Sequence, residues 1–249
     1  MTNEAKPVFL LDCDNTLFDN DRLQADLEAE LDHVLGIAGR IRYWQIFESL
    51  RTELGYADYL GAVQRLRFEV ANDMGVLQLS AFLLDYPFAA RLYPAAMDVI
   101  EYLGAWGNTV LLTDGDVVLQ PHKLKRSGLW QAVGGRVLVY VHKETKLHDI
   151  EQRHPAQHYV LVDDKPRILA TMKREWRDRV VTVFPRQGHY ANDRHALDAR
   201  NATPAPDLTI ERIGDLLHYG LPALRDAARA ADARAASAQG KSCGVHRHA

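Results

Sequence analysis

Cysteine is scarce in this chain: there are two among 249 residues, Cys13 and Cys243. Cys13 follows an apolar run and Cys243 lies in a polar tail, so the sequence predicts no structural disulfide. The chain also lacks an apolar run of about 18 residues, the length that spans a bilayer, and an apolar signal segment of the secretory type. These absences predict a cytoplasmic protein with no membrane partner.

A large excess of charge of one sign is missing as well. Thirty Lys and Arg side chains stand against 33 Asp and Glu side chains, which gives a formal net charge of −3. This balance argues against a broad nucleic-acid-binding surface, although it is compatible with a local basic pocket. With 47% hydrophobic and 25% charged residues, the composition is typical of a soluble globular protein. The length suits one large α/β domain with an inserted subdomain.

Five short apolar runs predict buried parallel strands. They cover residues 8–11, 110–112, 137–141, 159–162 and 180–184. Helical patterns separate the runs, and strands alternating with helices predict a doubly wound parallel sheet. Four of the runs lead directly into polar residues, namely Asp12, Thr113, His142 and Asp163. Because ligands bind beyond the carboxyl ends of such strands, we expect these side chains to gather at one edge of the sheet.

The first two predicted strands are separated by more chain than one crossover helix needs. Apolar residues repeat there at helical spacing, first at Leu23, Leu27, Leu31 and Val34, then at Leu60, Val63, Leu66 and Val70. The pattern predicts a helical cap at 17–93, inserted into a catalytic core of 1–16 and 94–226. From about Ala227 the apolar periodicity is lost, which predicts a frayed helix and then a disordered tail within 227–249.

Asp12 and Asp14 leave the first strand two residues apart, and therefore on one face. Carboxylates held close together bind a hard cation such as Mg²⁺, which neutralises their repulsion. One ionised carboxylate can attack phosphorus, and a second can protonate the leaving oxygen and then activate water. The competing interpretation, that Asp-x-Asp caps a turn, explains this pair alone but not the groups that follow.

Two further groups stand at predicted strand ends. Thr113, Asp114 and Gly115 follow the second strand, where a hydroxyl and the amides of a glycine-containing turn can hold phosphate oxygens. Asp163 and Asp164 follow the fourth strand. Adjacent acids after a buried strand repel each other unless a cation or donors compensate. Metal ligation therefore explains this pair better than a structural role does.

A lysine is expected to complete the site, since a phosphoryl group and several carboxylates need a fixed positive charge. Lys143 follows the third strand almost at once and is preferred. Lys146, on the first turn of the next helix, is the alternative, and the one that is not used is expected to be a surface lysine. The loop after the fifth strand, with Arg186 and His189, is expected at the same edge.

The order of these groups resembles the haloacid dehalogenase superfamily, over roughly residues 7 to 190. The motifs are Asp12-x-Asp14-x-Thr16, then Thr113, then Lys143 or Lys146, then Asp163-Asp164. The resemblance implies a Rossmann-like core with a helical cap between the first two motifs. It also implies Asp12 as nucleophile and Asp14 as general acid and base. Mg²⁺ would be held by Asp12, by the backbone carbonyl of Asp14, and by Asp163 with Asp164 near.

Two positions refine this resemblance. Members of the superfamily that cleave carbon–halogen bonds lack a carboxylate at the position of Asp14, so its presence favours phosphoryl chemistry. Asn15 stands where many of the phosphatases have glycine, and Asn tolerates a similar turn conformation. The presence of Asn15 in place of glycine is therefore compatible with a phosphatase.

The sequence predicts a Mg²⁺-dependent phosphohydrolase that acts on a small phosphorylated metabolite through an aspartyl phosphate on Asp12. Thr113, Asp114, Gly115 and the lysine would bind the phosphoryl group. A phosphotransferase or mutase would use the same intermediate. A non-enzymatic phosphoacceptor domain is opposed by the length and the insertion, and a binding protein without activity is opposed by the full set of catalytic residue types. The sequence specifies neither the substrate nor the oligomeric state.

Overall fold

A six-stranded, all-parallel sheet forms the centre of the protein. The structure is a computed structural model that describes residues 6–71, 73–191 and 203–243. The strands are β1 (Val8–Leu11), β2 (Asn108–Asp114), β3 (Val137–Tyr140), β4 (Tyr159–Val162), β5 (Val180–Pro185) and β6 (Leu208–Ile210). Their spatial order is β3-β2-β1-β4-β5-β6, so the winding direction changes at β1. The predicted doubly wound sheet is confirmed, and β6 is a strand that the apolar runs did not predict.

Helices cover the two faces of the sheet. In chain order, the helices of the protein are α1 (Asn20–Leu54), α2 (Tyr59–Leu66), α3 (Asp73–Asp85), α4 (Ala96–Gly104), α5 (Leu119–Arg126), α6 (Leu129–Ala132), α7 (Leu147–Arg153), α8 (Pro166–Trp176) and α9 (Leu221–Cys243). Phe9 and Leu11 of β1 share a buried cluster with residues of α4, α5, α6 and α9. Val8 and Leu10 point to the other face, in a cluster with residues of α7 and α8. Burial on both faces explains why the strands are continuous apolar runs.

The helices between β1 and β2 form the predicted cap. Gly36 interrupts α1 with φ 70° and ψ 176°, a combination that essentially only glycine adopts. Beyond this break the chain turns back, because Arg40 reaches Glu28 at 2.7 Å and Asp32 at 2.8 Å. In a straight helix, Arg40 and Glu28 would be separated by about 18 Å along the axis. The segment is therefore a helical hairpin, and the predicted stripe of Leu23, Leu27 and Leu31 is buried within it.

The C-terminal part begins with β6 and ends in α9. Leu224 of α9 is buried against the core, and the helix continues to Cys243. It thus occupies much of the segment for which the composition predicted a frayed helix and a tail, whereas residues 244–249 lie outside the described ones. Across the described ranges, every helix is too short or too polar to cross a membrane.

Candidate active site

A tight loop carries the chain from β1 into the cap. The carbonyl of Cys13 accepts hydrogen bonds from the amides of Leu17 and Phe18, both at 2.9 Å. Asn15 adopts φ 58°, and its side-chain oxygen accepts hydrogen bonds from the amides of Asn20 at 3.0 Å and Asp21 at 3.2 Å. Asn15 therefore takes up the left-handed conformation of the turn and also caps the first helix of the cap.

Three buried carboxylates meet beyond the carboxyl ends of β1 and β4. Oxygens of Asp12, Asp163 and Asp164 lie within 4.8 Å of one another. Within the described residues, Oδ2 of Asp12 and both carboxylate oxygens of Asp164 have no hydrogen-bond partner. Buried charges are destabilising unless they are paired, and hard divalent cations take oxygen ligands of this kind. The donor set therefore fits Mg²⁺.

Lys143 supplies a positive charge to this cluster. Its ammonium lies 2.5 Å from Oδ1 of Asp12 and 2.6 Å from Oδ2 of Asp163, and it donates to the carbonyl of Leu112 at 3.1 Å. Its backbone amide donates to Oδ1 of Asp114 at 2.8 Å. Lys146 is exposed, whereas Lys143 is fully buried. Of the two candidate lysines, the structure brings Lys143 to the predicted nucleophile.

The protonation states follow from burial and charge. Burial raises the pKa of Asp12 to about 6, although the ammonium of Lys143 acts in the opposite direction. Burial raises the pKa of Asp164 well above its usual range, and Asp12 and Asp163 add to that rise. Burial alone would lower the pKa of Lys143, but the carboxylates of Asp12 and Asp163 outweigh it and raise the pKa. Asp12 is thus mainly a carboxylate at neutral pH, beside an ammonium.

Asp14 belongs to a second polar network on the side of α5. Its carboxylate forms an ion pair with Lys123 and accepts a hydrogen bond from Nε2 of Gln120 at 3.3 Å. The same Nε2 donates to Oγ1 of Thr113 at 2.9 Å. The Lys123 side chain is buried and lies 5.1 Å from the ring centre of Phe18. The Asp14 side chain therefore stands apart from the three grouped carboxylates, and metal ligation through its backbone carbonyl stays a prediction.

The other predicted phosphate-binding residues lie at the end of β2. Thr113 is buried, and Asp114 lines the cavity in front of the site. Gly115 packs closely on Gln120, since a Cβ at this position would lie 3.0 Å from Cγ of that side chain. The structure thus places all three residues at the expected edge, and their binding of phosphate stays a prediction.

A cavity of about 980 Å³ separates the cap from this edge of the sheet. The cap contributes Trp44, Phe47 and Tyr59 to its wall, and the core contributes Asp14, Asp164, Lys165 and His142. His189 and Tyr190 of the loop after β5 also line it, so that loop lies at the edge as expected. Pockets of this size take small molecules.

Sequence reasoning missed the two side chains that hold Asp14. Gln120 and Lys123 are three residues apart on α5, and such residues lie on the same face of a helix. That spacing was the available signal, because α5 begins just after the predicted Thr113 motif. The burial of Lys123 had no signal of its own, since a buried lysine and a solvated one look alike in a sequence.

Neither protein-family models nor curated proteins give a match to this chain. Among solved structures, a haloacid dehalogenase-like hydrolase assigned in Burkholderia xenovorans LB400 is 55% identical, with a TM-score of 0.81, covering 88% of this chain and 98% of its own. The magnesium-bound HAD-hydrolase YfnB of Bacillus subtilis is 17% identical, with a TM-score of 0.56 and coverages of 86% and 98%. The L-2-haloacid dehalogenase of Xanthobacter autotrophicus is 14% identical, with a TM-score of 0.57 and coverages of 86% and 97%.

The last two likenesses show a shared fold. The first goes further, because more than half of the aligned residues are identical across nearly the whole length of the relative. The chain belongs to the haloacid dehalogenase-like hydrolase family.

Proposed function

We propose that the protein is a Mg²⁺-dependent phosphohydrolase that cleaves a small phosphomonoester through an aspartyl phosphate on Asp12. The observation that carries this proposal is the carboxylate of Asp14, which lines the cavity two residues after the buried Asp12. A phosphomonoester needs an acid for its alcohol leaving group, whereas a halide leaves without a proton. The position of Asp14 therefore favours phosphoryl transfer over dehalogenation.

The metal would be held by the carboxylates of Asp12, Asp163 and Asp164 and by the backbone carbonyl of Asp14. When bound, Mg²⁺ supplies positive charge that draws phosphoryl oxygens towards this acidic cluster. The oxygens of Asp12 and Asp164 that lack a hydrogen-bond partner are the ones that support this assignment.

The reaction would proceed in two displacements at phosphorus. The carboxylate of Asp12 attacks, the ester P–O bond breaks, and protonated Asp14 gives its proton to the departing alcohol oxygen. Asp14, now a carboxylate, takes a proton from water, whose oxygen attacks the same phosphorus. Inorganic phosphate leaves and the Asp12 carboxylate is restored.

Lys143 and Thr113 would bind the phosphoryl oxygens during these steps. Lys143 also fixes the orientation of the nucleophile, since its ammonium lies 2.5 Å from one oxygen of Asp12 and leaves the other without a hydrogen bond. Such fixed charges stabilise the transition state without reorganisation of solvent. The cavity of about 980 Å³ has room for a leaving group well beyond the phosphate itself, which fits a small metabolite.

Release of phosphate from p-nitrophenyl phosphate, with MgCl₂ or with EDTA, tests the proposal. We expect activity that requires Mg²⁺, and we expect Asp12→Asn to lower kcat by a factor on the order of 10³ or more, because the amide is not a nucleophile. Asp178→Asn, at an exposed acid after α8, is the matched control and should keep the wild-type rate.

Three results would count against the proposal. Wild-type activity in Asp12→Asn would exclude this nucleophile. A phosphorylated isomer as product, in place of free phosphate, would indicate a mutase. Metal-independent release of chloride from chloropropionic acid, the compound bound covalently in a structure of the Xanthobacter enzyme, would indicate a dehalogenase.

A further inference from the structure

Lys165 is a cation that lines the cavity and that no step above has used. It follows the Asp163-Asp164 pair and precedes α8, and its partly exposed side chain lines the cavity beside Asp164. Its backbone amide donates to Oδ1 of Asp163 at 2.8 Å. Over the described part of the chain its ammonium has no hydrogen bond and no ion pair, and its contact is with the ring of Tyr190, at 5.8 Å from the centre.

The lysines that are buried among the described residues behave differently. Lys123, Lys143 and Lys173 each form an ion pair with a carboxylate, respectively Asp14, Asp12 and Asp207. Lys165 also has the carboxylates of Asp164, Asp12 and Asp163 near it, yet over the described residues its ammonium forms no ion pair with any of them. The nearby carboxylates favour its charge, but its three N–H donors have no acceptor among the described residues, and the oxygens of a bound anion would supply one.

We propose that Lys165 binds the oxygens of the substrate's phosphoryl group, as a second lysine besides Lys143. Lysine suits this role because its compact ammonium presents three donors to phosphate oxygens. The face of Tyr190 steadies the ammonium in the cavity, since a cation about 6 Å or less from a ring centre is attracted to it. The inference rests on the proposed function, because it takes phosphate as the ligand of the site.

A structural alternative makes a different prediction. If Lys165 only balanced the charge of the three carboxylates, its removal would change the affinity for Mg²⁺ and the stability of the fold. It would leave phosphate affinity at saturating Mg²⁺ unchanged. If Lys165 binds phosphate, its removal weakens phosphate binding at saturating Mg²⁺. The loss of a positive charge beside the carboxylates changes Mg²⁺ affinity in both cases, so phosphate affinity is the measurement that separates them.

Isothermal titration of inorganic phosphate in saturating MgCl₂ separates these cases. We expect Lys165→Met, which keeps an unbranched apolar stem but lacks the ammonium, to raise the Kd of phosphate about tenfold or more, because a charged hydrogen bond is lost. Lys165→Arg should recover part of the affinity. Lys125→Met, at an exposed lysine of α5 that lies over the ring of Trp130, is the control and should stay within about twofold of the wild type. The KM for p-nitrophenyl phosphate should rise with the Kd.

Phosphate binding by Lys165→Met within about twofold of the wild type would overturn the inference, and so would a wild-type protein that does not bind phosphate. If the wild type hydrolyses esters and Lys165→Met binds phosphate normally, only the role of Lys165 fails. If Lys165→Met loses phosphate binding but the wild type hydrolyses no ester, only the proposed function fails. Should Lys165→Met not fold, as judged by circular dichroism, Lys165→Gln takes its place in the same titration.

Discussion

The carboxylate of Asp14 has two neighbours that fix where it points. Lys123 pairs with one of its oxygens and Gln120 donates to the other at 3.3 Å, and both side chains come from α5. Burial alone would lower the pKa of Lys123, but Asp14 outweighs it and raises the pKa, so that Lys123 is an ammonium at neutral pH. A charged, buried lysine thus holds the predicted acid and base at one place on the cavity wall.

Replacing Lys123 by Met should therefore impair proton transfer more than phosphoryl binding. We expect kcat for an alkyl phosphate to fall about tenfold or more, because a positioned general acid contributes about 10² to 10⁴ in rate. The fall for p-nitrophenyl phosphate should be smaller, since its leaving group needs less protonation, and KM should change little for both. Steady-state kinetics with the two esters measures the difference.

Lys125→Met lies on the same helix at an exposed position and is the matched control. An equal loss of kcat for both esters in Lys123→Met would contradict a role in positioning the acid. It would instead indicate a general disturbance of the site.

Among the elements, the loop after β5 links the core to the entrance of the cap. Gln187 donates to the carbonyl of Thr16 at 3.0 Å, and His189 lies 2.7 Å from Asp21 at the start of α1. Between them, Gly188 has φ +65°, and a Cβ there would lie 2.6 Å from Cβ of Asn15. The loop therefore packs directly on the residue that caps the first helix of the cap.

Gly188→Ala should loosen this junction. Its positive φ and the clash with Asn15 should lower the free energy of unfolding by about 1–3 kcal/mol, as measured by urea denaturation. Gly104→Ala is the control, because open space surrounds that position at the end of α4 and its φ lies outside the left-handed region. It should be neutral or stabilising by about 0.5–1 kcal/mol. Equal losses in the two variants would show that Gly188 is not under the strain described.

Elements with a strong local pattern were predictable, and those set by distant contacts were not. The apolar runs of β1 and β4 predicted strands because both of their faces are buried. β6 has only three residues, and it is anchored by Asp207, which accepts hydrogen bonds from the amide of Thr182 and from Lys173. No local sequence pattern predicts these hydrogen bonds, because Asp207 is distant in sequence from both donors. The reversal of α1 at Gly36 was also hidden, because several glycines punctuate that segment.

The residues of the candidate site also fall into those that the sequence predicted and those that it did not. Asp12 and Asp163 come directly after strands and Lys143 follows β3 by three residues, so the topology of the sheet alone predicted that they meet. Lys123 and Lys165 reach the site from α5 and from the start of α8, and their roles depend on the direction of long side chains. Sequence spacing does not specify that direction.

At the scale of the whole molecule, folding brings three buried carboxylates together, and Lys143 forms ion pairs with only two of them, Asp12 and Asp163. Asp12, Asp163 and Asp164 come from two strands that are distant in sequence and meet only in the folded protein. A cation bound by all three would therefore bind the folded state and not the unfolded one. Such binding raises the free energy of unfolding, by about 2.7 kcal/mol at a ligand concentration one hundred times the Kd.

Asp164→Asn should distinguish two effects on the free energy of unfolding, the destabilisation by a buried charge and the stabilisation by a bound metal. Without metal, we expect the variant to be more stable than the wild type at neutral pH by about 1–3 kcal/mol, because it removes a buried carboxylate that has no hydrogen-bond partner. With MgCl₂, the wild type should gain stability and the variant should gain much less. Urea denaturation with and without MgCl₂ measures both effects, and Asp178→Asn should match the wild type throughout.

The pH dependence has a definite sign. Burial raises the pKa of Asp164 in the folded protein, so the metal-free folded state binds more protons than the unfolded state between the two pKa values. The free energy of unfolding of the wild type should therefore fall as pH rises through that interval, whereas Asp164→Asn should lack this contribution. The two metal-free proteins should thus be most alike at acid pH and diverge towards neutral pH. A metal-free wild type that is the more stable of the two at neutral pH, or a Mg²⁺ effect that persists undiminished in Asp164→Asn, would exclude Asp164 as part of a cation site.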